Sequence, residues 1–142
     1  MDFRSLRITF ALLLPLLWVE GVWAVDCPSE DYDLNSQAEV DALGAAGCDR
    51  ISGYLYIGNS TDITNLDGLA SLTSVGDNPT IYDLSQFVNS LFITGNAALT
   101  NIDGLASLTR VGRNLAITDN PALTNIDGLA KLTSVGKDFF PK

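Results

Sequence analysis

The chain contains no histidine, one methionine and two cysteines, and its 8 basic residues face 17 acidic ones. Each shortage removes a class of function. Without histidine the usual general base at neutral pH and the commonest metal ligand are both missing. Hydrolysis would then have to rest on paired carboxylates in a cleft. No spacing in the sequence sets up such a pair, so no enzymatic activity and no cofactor are expected. The net charge of -9 argues against nucleic acid and anionic lipid surfaces, which are bound through clustered Lys and Arg. No apolar run reaches the roughly 20 residues that a membrane-spanning helix needs.

The apolar run that does exist lies at the start. Arg4 and Arg7 precede ITFALLLPLLWV (Ile8 to Val19), and GVWA follows, with Val22 and Ala24 at the positions a signal peptidase favours. A charged n-region, a short h-region and a cleavage motif predict a secretory signal over residues 1–24. The mature chain is expected outside the cell or on its surface, or in the periplasm of a bacterium. Cys27 and Cys48 both follow the predicted cut, and in an oxidising compartment a lone pair has one partner choice. A disulfide between them should contribute about 3 kcal/mol through loop closure.

From residue 53 onward the sequence repeats itself. NIDGLASLTRVGRNLAITDNPALT (101–124) begins again as NIDGLAKLTSVGK (125–137), and NLDGLASLTSVG (65–76) anticipates both. On a 24-residue period Leu55, Pro79, Leu91, Leu115 and Phe139 share one column, with a half-period step between Pro79 and Leu91. That step reads as one repeat that has lost half its length. Leu115 and Ile117 alternate with outward residues like a short strand. Leu123, Ile126, Leu129, Leu132 and Val135 instead step by three. Such spacing, with Gly and Asn at the corners, predicts a mainly β solenoid, each short side of a coil giving one inward residue.

Other columns acquire physical roles on the same alignment. Asn59, Asn96 and Asn120 are expected to form a buried amide ladder that satisfies the backbone at a tight turn. Asp67-Gly68, Asp103-Gly104 and Asp127-Gly128 are expected to be turns in which Gly supplies a positive φ. Ahead of the repeats, Ser36 and Glu39 make a capping box, Val40, Leu43 and Ala46 share a face, and Gly47 marks a stop. Residues 25–52 are therefore read as a disulfide-linked cap with a short helix, and 53–142 as repeats, the last one incomplete at KDFFPK.

DC…AEVDALGAAGCDRISGYLYIGN followed by LTNIDGLASLTSVG units resembles the receptor L-domain family, whose leucine-rich-repeat-like right-handed β-helix occurs in receptor ectodomains. Similar repeats occur in fungal wall proteins and exported bacterial proteins. The resemblance runs from about Cys27 onward and implies that fold and an extracellular binding or adhesive role. No ligand-contact residue carries over, because the matching positions are scaffold positions.

Function is then sought where the repeat varies. Tyr54, Tyr56, Tyr82 and Phe92 are expected to form an outward aromatic patch for a protein or carbohydrate partner; packing of these rings across strands is the structural alternative. Phe139 and Phe140 mark an open C-terminal edge where self-association is expected. Three other readings compete with these. Asp67, Asp103 and Asp127 could gather calcium. The Thr columns 64, 100, 124 and 73, 109, 133 could meet an ordered surface such as ice. Asn59 to Thr61 is an N-glycosylation sequon. A purely structural envelope or wall component is the alternative to a binding module.

Overall fold

A computed structural model describes residues 24–77 and 88–136. The predicted signal lies outside these residues, as do Pro79, Tyr82, Phe139 and Phe140. In chain order the elements are β1 (Tyr32–Leu34), α1 (Gln37–Ala45), β2 (Arg50–Ile51), β3 (Leu55–Ser60), β4 (Ser74–Val75), β5 (Leu91–Asn96), β6 (Arg110–Val111), β7 (Leu115–Thr118) and β8 (Ser134–Val135). Short 3-10 helices occupy Asp67–Leu69, Asp103–Leu105 and Asp127–Leu129.

The strands form two parallel sheets of four, ordered β1-β3-β5-β7 and β2-β4-β6-β8. In the first, Leu55, Leu91 and Leu115 pair in register, with Tyr32 ahead of them. In the second, Ile51, Val75, Val111 and Val135 do the same. Inward residues of β3 and β5 (Leu55, Ile57, Leu91, Ile93) are fully buried, in one cluster with Ile63, Leu66, Ile102 and Leu105 from the helical side. Burial of each such side chain is worth about 1.5–3 kcal/mol, so the hydrophobic column on every side of the core holds the layers together.

The expected mainly β, right-handed solenoid is corrected. The described residues are 17% helical and 27% strand, an α/β-like content built on two parallel sheets. The physical reason lies in the step of three. Three residues is the period of a 3-10 helix, and the chain uses it as one: Leu69 N–H donates to the Leu66 carbonyl and Leu72 N–H to that of Leu69, both at 2.9 Å. The same pattern recurs at Ile102, to which Leu105 N–H donates at 2.9 Å, and at Ile126, to which Leu129 N–H donates at 3.0 Å. Each segment starts identically, with Asn65, Asn101 or Asn125 accepting the N–H of the Asp two residues on at 3.1 Å.

The Asp-Gly glycines are corrected with it. Gly68, Gly104 and Gly128 are not among the residues with positive φ. A Cβ on Gly104 would sit 1.7 Å from the Leu66 carbonyl oxygen, and one on Gly128 would sit 1.9 Å from that of Ile102. Glycine is needed there because successive helical segments touch backbone to backbone. α1 begins this row. Ser36 caps it by accepting the Glu39 N–H at 3.3 Å, Glu39 reaches back to the Asn35 N–H at 2.7 Å, and Val40 and Leu43 are buried. Gly44 of α1 lies against the Gly68 carbonyl.

The apparent half-repeat also changes meaning. β3 pairs directly with β5, and β4 with β6, at an offset of 36 residues where later neighbours are offset by 24. Among the described residues neither sheet skips a layer; twelve additional residues fall between β4 and β5. The N-terminal segment is tied on by the Cys27–Cys48 disulfide, with Cα atoms 4.9 Å apart. Asp26 bridges to Arg50 beside it.

Candidate partner-binding face

Parallel register decides which side chains become neighbours on the outside of the β1-β3-β5-β7 sheet. Asp33, Tyr56, Phe92 and Ala116 form one outward column across the four strands. Gly58, Thr94 and Thr118 form the next. Tyr56 and Phe92 are thus side by side, each half-buried. Tyr56 leans along its own strand over Gly58, where a Cβ would lie 2.8 Å from its hydroxyl oxygen. That hydroxyl accepts a hydrogen bond from Asn59 Nδ2 at 2.8 Å. The Thr94 and Thr118 hydroxyls share a 2.8 Å hydrogen bond.

Tyr54 enters the face just before β3. Its N–H donates to Asp31 Oδ1 at 2.9 Å, and its hydroxyl donates to Asp33 Oδ2 at 3.0 Å. Burial raises the Tyr54 phenol above its ordinary range, and the hydrogen bond to Asp33 with the charges of Asp33 and Asp31 pushes the same way. The sequence patch is therefore assembled for Tyr54, Tyr56 and Phe92, while Tyr82 lies outside the described residues. Asp31 and Asp33 were missed. Their signal was the alternation in DYDL, which makes β1 an extra strand of this sheet rather than part of a helical cap.

The other candidate positions divide between scaffold and surface. Asn96 Nδ2 donates to the Ile57 carbonyl at 3.0 Å and to Asn120 Oδ1 at 3.0 Å, and Asn120 Nδ2 donates to the Ile93 carbonyl at 2.9 Å. The amide ladder exists, but Ser60 and not Asn59 stands in register with Asn96. Asn59 is exposed with φ 53°, so the sequon side chain is at the surface. The hydroxyls of Thr73, Thr109 and Thr133 donate to carbonyls of Asp49, Thr73 and Thr109 at 3.0–3.1 Å, which makes that column an internal tie. Among the described residues no three His, Cys, Asp or Glu side chains are placed to hold a metal ion. No helix among them is long and apolar enough to cross a membrane. At the last layer Ile126 is 57% exposed, whereas Ile102, its equivalent one layer earlier, is fully buried.

No family model, curated protein or solved structure matches the chain. What the face can do follows from its own chemistry. Two rings on neighbouring strands, backed by a buried core, offer apolar area at little entropic cost. The carboxylates beside them offer charged acceptors. This is equipment for binding.

Proposed function

We propose that the chain is an exported extracellular or cell-surface recognition and adhesion module, without catalytic activity, that binds a protein or carbohydrate partner through the outer face of the β1-β3-β5-β7 sheet. The observation that carries this reading is the Asp33-Tyr56-Phe92 column, two rings and a carboxylate held in register on a sheet whose other side is core. Parallel sheets are ordinarily covered on both faces; here one face is left with aromatic side chains. The Cys27–Cys48 disulfide is compatible with an oxidising compartment. The signal-like N-terminus and the resemblance to receptor L-domains point the same way.

A purely structural envelope component is the second reading, favoured by the exposed Ile126 at the last described layer. An array of extracellular proteins and oligosaccharides probed with the secreted, oxidised chain separates the two. A binding module marks particular spots and loses them in Phe92→Ala with its melting temperature preserved. A structural component marks none, or marks spots that do not depend on Phe92.

A further inference from the structure

The net charge is not spread evenly over the molecule. Residues 24–77 hold ten Asp or Glu against one basic residue, Arg50, whereas residues 88–136 hold three Asp against Arg110, Arg113 and Lys131. Strands add to both sheets in chain order, so the whole acidic excess of the described residues sits in the layers of β1 to β4, and the layers of β5 to β8 are balanced. The one basic side chain on the acidic side is already engaged: Arg50 Nε and Nη2 donate to Asp26 Oδ1 at 2.9 and 2.7 Å.

The acidic side and the aromatic face meet in one place. Asp33 is the register neighbour of Tyr56, and Tyr56 that of Phe92. Asp33 is exposed and accepts the Tyr54 hydroxyl, which leaves a carboxylate room for further donors. Resting on the binding role argued above, we propose that the partner of this face is a cationic protein segment, an Arg or Lys side chain lying over the Tyr56 and Phe92 rings with its charged head at Asp33. Ring faces attract cations, and a guanidinium can stack on a ring while donating to a carboxylate. The charge on the β1 to β4 layers steers such a segment toward this end of the sheet. A neutral sugar would use the rings but gain nothing from the asymmetry.

The test is fluorescence anisotropy of a labelled oligoarginine peptide against the mature, disulfide-bonded chain, with oligoglutamate and neutral oligosaccharides as further probes. Phe92→Ala and Asp33→Asn are compared with Asp67→Asn, which removes the same charge away from the face; melting curves check that each variant is folded. The proposal expects oligoarginine binding that weakens about tenfold in Phe92→Ala and in Asp33→Asn, changes little in Asp67→Asn and falls steeply with salt. Equal weakening by Asp67→Asn would overturn it, because the attraction would then be diffuse. Phe92-dependent binding of an oligosaccharide without oligoarginine binding would also overturn it, while leaving the recognition role of the face intact. Loss of Phe92 dependence for every probe would overturn both.

Discussion

Gly104 separates two meanings that a glycine can have in a sequence. Read in an Asp-Gly pair it suggests a positive φ, for which Asn is a tolerable substitute. In the structure its φ is ordinary and the space for a Cβ is taken by the Leu66 carbonyl. Gly104→Ala and Gly104→Asn are therefore both expected to destabilise by about 1–3 kcal/mol or more through backbone displacement, read as a fall in the urea midpoint. A harmless Asn variant would mean that the turn explanation was right. Asn120 makes a second residue-scale test. Its Oδ1 accepts both the Asn96 N–H at 3.1 Å and Asn96 Nδ2, so Asn120→Leu leaves buried donors unpaired and should cost about 1–3 kcal/mol. The ladder was legible in the sequence at Asn96 and Asn120. It was misplaced at Asn59, because the twelve additional residues blur the alignment by one position, and only pairing puts Ser60 there.

At the scale of elements, the capping box of α1 was legible because its residue types and spacing act locally, through the Ser36 and Glu39 side chains. The 3-10 segments were not, since an apolar step of three serves a corner of a sheet and a 3-10 turn equally well. What decides is whether Leu66, Leu69 and Leu72 bond to each other, and they do. β1 escaped notice because three residues of alternation beside a helix cap carry little periodic signal; a parallel partner in β3 makes it a strand. The placement of Asp33 on that strand has a measurable consequence at Tyr54. The phenol is held protonated above its ordinary range, so the folded chain keeps this proton where the unfolded chain loses it. The stabilisation is fully present below the ordinary tyrosine range and is lost as pH rises through the higher folded value. A tyrosinate absorbance titration should show one late phenol in the folded chain, absent in Tyr54→Phe and moved down in Asp33→Asn. A Tyr54 that titrates with the other tyrosines would contradict the contact.

For the whole molecule, the repeat determines the scaffold and departures from the repeat determine the surface. Inward columns are near-identical from layer to layer because each layer buries the apolar residues of its neighbour. The outward column Asp33, Tyr56, Phe92, Ala116 differs at every step. That contrast was partly visible in the sequence, which singled out the rings but not the carboxylates or the one-sided charge, since both depend on the stacking order of the strands. The central claim is that this variable face, and not the repeated scaffold, carries the function. Retention of the secreted chain at the surface of the cells that produce it tests this most directly, comparing wild type with the Tyr56→Ala/Phe92→Ala double variant at matched melting temperature. The account predicts that the folded double variant is released into the medium while wild type is held. Equal retention of the two would contradict it.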